Sequence, residues 1–377
     1  MPPPQFLSAT APDLDSILAV LGIAAANPDG KIPYTVIPGN DGPRWLLPNR
    51  NALTHTILRE WHPYSAAARL GWAGVRIAAR LGALRFLPGA TQAQLTADAG
   101  SLLLHHIGYE AYASPPVILV GSPTATHKLI VFLVDPLDGL NAVVKFPLTV
   151  AASASIRREA VTLRRLEGNF SAPRLLHYSE DAGASVQQYL HGRMGFRRFK
   201  PAYLRLLLDL ARTGEAVSLQ EYGHRLGDRL RSHTAYGEHS ASVDSALAYL
   251  DVDVAVPAAL VHGDFNPWNI RELRGGTSTL VDWELAEWQG LPLHDLCYFF
   301  YVQARVFSPE TLFYSSLLKE GSWRMYCEAL DLPLTLVPRL AAAFLLAVLE
   351  RTWETKRIPA AVFCLGQLDA FLSHIGP

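Results

Sequence analysis

The spacing of hydrophobic and polar residues changes along this 377-residue chain and divides it into three predicted parts. In the first part apolar residues recur at helical spacing, which predicts a helix over 14–26 and a largely helical stretch over 51–87 with a break at Pro63. Pro88-Gly89 ends that stretch. We therefore expect residues 1–110 to form a mainly helical N-terminal extension.

The second part, residues 111–192, has the pattern of β-strands. β-Branched residues are concentrated in three runs that turn-forming residues separate. The runs are 117–120, 129–134 and 142–146, and the turns read GSPTATH and PLDGLN. A helix over 152–167 and a strand over 186–190 follow them. This order predicts a small antiparallel sheet with one helix beside it.

The third part, residues 193–377, is predicted to be mostly helical. Its predicted helices are 201–235, 239–251, 307–330, 335–353 and 358–374, with a further helical run opening at His294. Short strands are predicted within one interrupting segment, at 260–261, 269–273 and 279–281. The predicted fold class is α+β, with a small lobe built on a sheet and a larger helical lobe.

Polar side chains cluster in the part of this segment that follows the strand at 260–261 and reads HGDFNPWNIRELRGGTSTLVDWE over 262–284. Asp264 and Asn269 lie in one loop, and Asp282 ends the next apolar run. Phosphoryl transfer requires a group that accepts or orients a proton and oxygen ligands for Mg²⁺, and these residues supply both. Each residue alone is typical of a turn or a helix cap, but three at this spacing favour a catalytic site.

Three further polar residues lie in or just beyond this segment. His262 is expected to be buried and structural rather than catalytic. Asp295 is expected to cap the following helix and to brace the loop. For Glu284, contact with a metal or substrate and a place as a solvated loop acid are both left open.

A second set of candidates lies in the predicted sheet. Lys145 ends the third strand run, and Glu159 on the next helix is its predicted partner in holding nucleotide phosphates. Glu167 and Glu180 are alternative partners at less suitable places. The plain alternative is that Lys145 is a surface lysine.

The turn GSPTATH is predicted to lie over the phosphates, with Ser122 among its contacts, although an ordinary hairpin turn has the same pattern. The strand that ends near residue 190 is predicted to meet the adenine through its backbone, which makes Gln188 and Tyr189 further cofactor-binding candidates.

The composition limits the kinds of binding partner and the cellular location that we expect for this protein. Lys plus Arg, 33 residues, nearly equals Asp plus Glu, 34 residues, which argues against nucleic acid as a partner. The longest apolar runs fall below the roughly 18 residues of a membrane span, so no membrane partner is expected. The N-terminus does not resemble a signal peptide. The three cysteines are predicted to be buried free thiols, which favours a cytoplasmic location.

Arginines recur within the helical stretch over 51–87, at Arg59, Arg69, Arg76 and Arg80. They can be interpreted as a binding site for phosphate or for an acidic partner. The interpretation favoured by the sequence is one solvated face of an amphipathic helix.

The runs HGDFNPWNI and LVDWELAEWQGLPLHDL closely resemble the aminoglycoside phosphotransferase and choline kinase superfamily, which has a kinase-like fold. The resemblance implies that Asp264 is the catalytic base, that Asn269 and Asp282 bind magnesium and that Lys145 holds the phosphates of ATP, or of GTP. It also implies an acceptor hydroxyl on a small molecule such as a sugar, an aminoglycoside or an amino alcohol.

Three differences from protein kinases favour the branch of the kinase-like fold that acts on small molecules. Gly263 replaces the arginine before the base, Glu284 replaces the glycine after the metal-binding aspartate, and an A-P-E segment is lacking. Two other functions remain open at this stage. One is a catalytically idle, nucleotide-binding scaffold, and the other is nucleotidyl transfer on the same fold. The oligomeric state is left open.

Overall fold

The structure is a computed structural model that describes residues 12–23, 31–49, 52–61, 63–64, 66–134, 141–167, 172–211 and 214–375. The chain forms two compact units, of which the first contains Met1–Met194 and Arg271–Glu284 and the second contains Gly195–Ile270 and Leu285–Pro377. The predicted N-terminal extension and small lobe thus belong to one unit. The predicted turn PLDGLN, apart from Asn141, and the predicted helix beyond residue 23 lie outside the described residues.

An antiparallel sheet forms the centre of the first unit. Its strands are β1 (Lys31–Gly39), β2 (Gly42–Pro48), β3 (Thr91–Thr96), β4 (Val117–Val120), β5 (Lys128–Val134), β6 (Asn141–Pro147), β7 (Leu175–Ser179) and β8 (Ala184–Gln188). Their order across the sheet is β3-β1-β2-β4-β5-β6-β8-β7. β4, β5, β6 and β8 confirm the predicted runs.

The sheet is larger than predicted, because β1, β2, β3 and β7 also belong to it. β1 reads KIPYTVIPG and β2 reads GPRWLLP, and prolines within a run count against a strand when the sequence is taken alone. In the structure β1 pairs with β2 on one side and with β3 on the other, which satisfies its backbone. Residues 1–110 therefore contribute strands as well as helices.

Five helices cover the two faces of this sheet: α1 (Leu14–Val20), α2 (Ala52–Glu60), α3 (Ala66–Arg80), α4 (Ala99–His106) and α5 (Val150–Leu166). Side chains such as Val131 and Val144 on one face share a buried core with α1 and α4. On the other face, Leu119 and Phe132 share a second core with Trp45 and with α2 and α3. α5 packs on β6, β7 and β8, and its N-cap Thr149 accepts a hydrogen bond from the Ala152 N–H.

A smaller sheet and a buried polar cluster complete the first unit. The small sheet consists of β9 (Gly192–Met194), β13 (Ile270–Leu273) and β14 (Ser278–Leu280), in the order β14-β13-β9. The Tyr189 hydroxyl donates to the carboxylate of Glu60 on α2. The half-buried side chain of Arg271 lies beside both, and desolvation lowers the pKa of its guanidinium while Tyr189 and Glu60 oppose that change. These contacts attach α2 to the chain just beyond β8.

The second unit is mainly helical, as predicted. Its helices are α6 (Pro201–Ala211), α7 (Leu219–Ser232), α8 (Tyr236–Ala248), α9 (His294–Phe307), α10 (Phe313–Lys319), α11 (Ser322–Ala329), α12 (Val337–Glu354) and α13 (Ile358–Ile375). Short strand pairs lie among them, formed by β10 (Ala216–Ser218) with β11 (Ala255–Pro257) and by β12 (Ala259–Val261) with β15 (Glu287–Gly290). The predicted helices over 201–235 and 307–330 are each divided into two.

Apolar helices and buried thiols form the interior of this unit. α12 packs against α7, α8, α9 and α13. By length and composition α13 could cross a membrane, since its mean hydropathy is 1.4, and 39% of its residues are buried. The helical segments Ser322–Ala329 and Leu334–Glu354 meet the same criteria only when taken together, and they are bent by 119° relative to each other. Core helices also satisfy this test. Cys297, Cys327 and Cys364 are free and buried, which confirms the prediction.

Leu103→Ala tests whether the helices of residues 1–110 share one core with the sheet. Leu103 on α4 is completely buried, so we expect the substitution to lower the free energy of unfolding by about 2–5 kcal/mol. Leu81→Ala removes a side chain that is 75% exposed and should change it by less than about 0.5 kcal/mol. Urea unfolding followed by circular dichroism measures both. Equal effects in the two variants would contradict a shared core.

Candidate active site

A buried lysine marks the candidate nucleotide side of the first unit. Lys145 on β6 is 7% exposed, and its ammonium lies 2.7 Å from Oε1 of Glu159 on α5 and 2.6 Å from Oδ1 of Asp282. The predicted contact between Lys145 and Glu159 is therefore present, and Lys145 is not a surface lysine. The function of this pair in binding nucleotide stays a prediction.

Glu159 accepts hydrogen bonds from three parts of the unit. Besides the ammonium of Lys145, it receives the backbone N–H of Trp283 at 3.1 Å and the side-chain amide of Gln187 on β8 at 2.9 Å. The carboxylate is completely buried. A carboxylate can remain buried where a cation balances its charge and donors form hydrogen bonds with its oxygens. Lys145, Trp283 and Gln187 supply these contacts to Glu159. Glu159 thus fixes Lys145 and the chain beside Asp282 at the same time.

Asp282 has a backbone conformation that few residues other than glycine adopt. Its φ is 71°, in the left-handed region, where aspartate is better tolerated than most side chains. Residues held in this region occur preferentially at functional sites, because the surrounding contacts must compensate the strain. Here the hydrogen bond from Trp283 to Glu159 and the lysine contacts of the Asp282 carboxylate supply that compensation.

A second lysine, Lys128, was not identified from the sequence. It opens β5, two residues before Ile130, which pairs with Lys145, so both lysines project from the same face of the sheet. The ammonium of Lys128 lies 2.5 Å from Oε2 of Glu284 and 3.3 Å from Oδ1 of Asp282. The register that brings these groups together cannot be read from the spacing of the sequence alone.

The two lysines keep their charge in this site. Burial lowers the pKa of Lys145, but the carboxylates of Asp282 and Glu159 outweigh burial and raise the pKa above the usual range. The pKa of Lys128 is raised in the same way, with burial opposed by Asp282 and Glu284. Both groups are therefore ammonium ions at neutral pH. The two ammonium groups lie on one face of the sheet, where the carboxylates of Asp282, Glu159 and Glu284 hold them in place.

Glu284 is not a solvated loop acid. Its carboxylate accepts hydrogen bonds from Lys128 and, at 2.6 Å, from the hydroxyl of Ser155 on α5. Its side chain is 16% exposed. Of the two possibilities left open by the sequence, the structure removes the solvated one and shows Glu284 as the counter-ion of Lys128. Contact of Glu284 with a metal or a substrate is not tested by these contacts.

The loop between β4 and β5 contacts the neighbouring strand β2. Ser122 is exposed, and its hydroxyl lies 3.5 Å from the guanidinium of Arg44, which also donates to the carbonyl of Val120 at 2.6 Å. At Gly121 a Cβ atom would lie 2.6 Å from the carbonyl oxygen of Lys128, so the turn requires glycine. The assignment of Ser122 to phosphate binding stays a prediction.

The chain after β8 also differs in detail from the prediction. The backbone N–H groups of Gln188 and Tyr189 donate to the carbonyls of Arg174 and Asn141, at 2.8 and 2.9 Å. The Tyr189 side chain is buried beside Glu60 and Phe132. These two N–H groups therefore already have backbone acceptors and are poor candidates as donors to adenine. The carbonyl groups of this segment remain candidates.

In the second unit a buried aspartate braces the loop that contains Asp264. The carboxylate of Asp295 accepts the backbone N–H groups of His262 at 2.6 Å and of Gly263 at 2.9 Å. Burial raises the pKa of Asp295 to about 7, and the two N–H groups oppose that change. The predicted brace is present, but the cap position belongs to Leu293, and Asp295 lies inside the first turn of α9. His262 is completely buried, as predicted.

Glycine is the only residue type that fits at position 263, between His262 and Asp264. Its φ is 78°, and a Cβ atom there would lie 2.5 Å from the carbonyl oxygen of Leu285. Its own carbonyl accepts a hydrogen bond from the guanidinium of Arg351 on α12 at 2.8 Å. The glycine of the H-G-D motif is thus required by the turn, whatever its relation to protein kinases.

The carboxylate of Asp264 is oriented by two asparagine amides. Asn266 donates to its Oδ1 at 2.8 Å, and Asn269 donates to its Oδ2 at 2.7 Å. Asn266 was not identified from the sequence, although an Asn-Pro pair indicates a turn. Its own oxygen accepts the N–H groups of Trp268 and Asn269, so one side chain organises the loop. Tyr298 also hydrogen-bonds Asp264.

The donor set suits magnesium better than a transition metal. Among the described residues, no group of three or more His, Cys, Asp and Glu side chains is arranged to hold a metal ion. Mg²⁺ needs few carboxylates and keeps several waters, so an aspartate with one amide oxygen is sufficient. Because Asn269 turns its amide nitrogen to Asp264, its oxygen points away from that carboxylate. Asn269 and Asp282 are therefore chemically suitable ligands.

Comparison with known proteins identifies a family that this chain matches. The model of a family described as "Phosphotransferase enzyme family" matches residues 130–353. A search of curated proteins finds no match. The sequence resemblance to the phosphotransferase and choline kinase superfamily is thereby confirmed.

Solved structures with a similar fold include aminoglycoside phosphotransferase APH(4)-Ia, with 13% identity, a TM-score of 0.51 and coverage of 73% of this chain and 97% of that chain. A thermostable mutant of that enzyme in a ternary complex with ADP and hygromycin B has 14% identity, a TM-score of 0.51 and coverage of 71% and 96%. Choline kinase LicA from Streptococcus pneumoniae has 13% identity, a TM-score of 0.45 and coverage of 64% and 89%. At these identities the two similarities to APH(4)-Ia show the fold alone, and they confirm the predicted kinase-like class.

Lys128→Met tests whether the unpredicted lysine is a needed counter-ion. The substitution leaves the Glu284 carboxylate without its cation, and we expect the free energy of unfolding to fall by about 3–4 kcal/mol, the lower part of the range for a broken buried pair. Adding Glu284→Gln should recover at least half of the loss. Arg157→Met breaks an exposed pair with Glu180 and should cost less than about 1 kcal/mol. An effect of Lys128→Met no larger than that of Arg157→Met would reject this role.

Proposed function

The chain belongs to the phosphotransferase enzyme family, and we propose that it transfers the γ-phosphoryl group of ATP to a hydroxyl group of a small molecule. The observation that carries this proposal is the buried ammonium of Lys145, fixed between Glu159 and Asp282. An exposed lysine would lose side-chain entropy on binding phosphate, whereas this one is already oriented. We assign Lys145 to the α- and β-phosphates, with Glu159 as its positioning residue.

Asp264 is the proposed base. Its carboxylate accepts amide hydrogen bonds from Asn266 and Asn269, and Asp295 fixes the backbone of its loop. A carboxylate held in one orientation can receive or direct the proton of an acceptor hydroxyl. Phosphoryl transfer gains most of its rate from such positioning and from charge stabilisation, because little covalent work falls to the protein.

Asn269 and Asp282 are the proposed magnesium ligands. When bound, Mg²⁺ would neutralise negative charge on the β- and γ-phosphates of the nucleotide. Asp282 attracts two ammonium groups through one carboxylate oxygen, and this supports its assignment to a position that binds a cation. We propose that Lys128 adds positive charge at the phosphates from the same face of the sheet as Lys145.

The proposed acceptor is a small hydroxyl compound such as a sugar, an aminoglycoside or an amino alcohol. The solved structure with hygromycin B concerns a protein only 14% identical, so it suggests a class of compound to test rather than a substrate. GTP is a second possible donor. A cytoplasmic location, consistent with three buried free thiols, is also proposed.

An idle scaffold and a nucleotidyl transferase are the competing functions. A scaffold that only binds nucleotide has no use for an oriented carboxylate such as Asp264, so the amide contacts of that residue favour an enzyme. Nucleotidyl transfer uses the same nucleotide and metal but breaks a different phosphate bond. The mass of the product separates the two reactions.

A screen of acceptors with ATP and magnesium tests the reaction. We expect at least one sugar, aminoglycoside or amino alcohol to gain the mass of one phosphoryl group, detected by mass spectrometry, with release of ADP. Removal of magnesium by a chelator should abolish product. A product that carries AMP would identify nucleotidyl transfer, and magnesium-dependent ATP binding without any product would favour the scaffold.

Asp264→Ala should lower turnover on the acceptor found in that screen by about 10²-fold or more, because it removes proton acceptance and orientation together. Its effect on ATP binding should be small. Asp228→Ala, which changes a highly exposed aspartate of the same unit, is the matched control and should retain wild-type turnover. Thermal unfolding checks that both variants are folded. Turnover of Asp264→Ala equal to that of the control would contradict the assignment.

A further inference from the structure

α3 exposes an apolar stripe beside a basic one. Leu70, Ile77 and Leu81 recur at helical spacing along and just beyond α3 and are 78%, 57% and 75% exposed. Arg69, Arg76 and Arg80 each precede one of these side chains and form the neighbouring stripe. The opposite side of the helix holds Trp72, Val75 and Ala79, which pack in the buried core of the first unit. A helix with only one buried side has no structural need of this second apolar stripe.

The buried side of α3 keeps the helix fixed while the other sides face outward. The indole N–H of Trp72 donates to the carbonyls of Leu58 and Trp61, at 3.1 and 2.8 Å. Trp72 and Trp61 both pack against Trp45 on β2. The exposed side chains of Leu70, Ile77 and Leu81 therefore cannot turn into this core without breaking these contacts. A solvated amphipathic face, the interpretation favoured by the sequence, does not account for large apolar side chains that remain exposed.

The charge of this surface is of one sign. Residues 61–97 contain Arg69, Arg76, Arg80 and Arg85 and lack both aspartate and glutamate. Within the described part of the chain none of these four arginines forms an ion pair. Arginines of α7 differ, because Arg229 and Arg231 contact Glu350 and Asp244. The basic side of α3 has no counter-charge of its own.

A groove between α2 and α3 adds to the basic surface. It has a volume of about 230 Å³ and is lined by His55 and Arg59 of α2 and by Arg76 and Arg80 of α3, with Thr56 and Leu58. Arginine guanidinium groups bind phosphate with two parallel hydrogen bonds where geometry allows. The groove is large enough for a phosphate group. Just beyond α3, Arg85 lies over the exposed ring of Phe86, 4.7 Å from its centroid.

We propose that α3, the groove and Phe86 form a surface that binds the face of an anionic lipid bilayer. The apolar stripe would enter the region between head groups and acyl chains, and the arginines would contact lipid phosphates, as basic amphipathic helices do. A second copy of the chain is a poorer occupant, because a two-fold contact would bring the unpaired arginines of both copies together. The proposal is independent of the phosphotransfer reaction, and it concerns binding at a membrane surface rather than crossing.

Sedimentation of the full chain with lipid vesicles tests the proposal. We expect binding to vesicles of phosphatidylcholine with phosphatidylglycerol and little binding to phosphatidylcholine alone. Each basic residue near an anionic surface contributes about fivefold in affinity, so Arg69→Gln, Arg76→Gln and Arg80→Gln together should weaken binding about a hundredfold. The combination Leu70→Ser, Ile77→Ser and Leu81→Ser should remove the part of the binding that resists high salt.

Matched variants control for net charge and for exposed apolar area. Arg225→Gln, Arg229→Gln and Arg231→Gln together remove the same charge from α7, and Ile358→Ser with Val362→Ser removes exposed apolar side chains from α13. Both should bind vesicles as the wild type does. Circular dichroism checks that each variant is folded.

Three outcomes would overturn the proposal. The first is absence of binding to anionic vesicles, and the second is equal weakening of binding by the α3 and α7 arginine variants. The third is a dimer of the free protein that the combination of Leu70→Ser, Ile77→Ser and Leu81→Ser dissociates.

Discussion

The buried carboxylate of Glu159 is the contact on which the candidate nucleotide side depends. It joins α5 to Lys145 on β6, to Gln187 on β8 and to the backbone of Trp283. Without these donors the charge could not remain buried, and without Glu159 the Lys145 ammonium would keep only Asp282 as a close counter-ion. The same carboxylate holds the backbone next to Asp282, so the strained conformation of that residue depends on it as well.

The second unit orients its own candidate residue by the same physical means. The carboxylate of Asp295 is buried and accepts two backbone N–H groups, which fixes the turn at Gly263. Asn266 and Asn269 then determine the direction of the Asp264 carboxylate. In both units a buried acid that is fully hydrogen-bonded holds a backbone segment, and the candidate functional side chain projects from that segment. Buried polar groups of this kind favour one arrangement over others, because alternative packings would leave them without hydrogen-bond partners.

The sequence was sufficient wherever chemistry is local in the chain. Asp264 and Asn269 lie in one loop, and Lys145 and Glu159 are joined by a single strand-to-helix connection, so the spacing predicted that the members of each pair lie close together, as they do. Lys128 and Glu284 are far apart in sequence, and their contact depends on the register of β5 against β6 and on the path of the chain after β14. β1 and β2 were missed because their prolines obscure a strand pattern that tertiary pairing nevertheless stabilises. The left-handed conformation of Asp282 has no sequence signal except the residue type itself.

The most direct test asks whether the buried carboxylate of Glu159 positions Lys145 for nucleotide binding. The Glu159→Gln variant is titrated with the magnesium complex of a non-hydrolysable ATP analogue, and binding is measured by isothermal titration calorimetry. The neutral amide of glutamine cannot balance the charge of the Lys145 ammonium. Its NH₂ group would also face one of the groups that now donate hydrogen bonds to Glu159. The dissociation constant of the ATP analogue should therefore rise about tenfold or more. Glu167→Gln, at the exposed end of the same helix, should bind as the wild type does. Wild-type affinity in a folded Glu159→Gln variant would show that nucleotide binding does not depend on this acid, and the central assignment would be wrong.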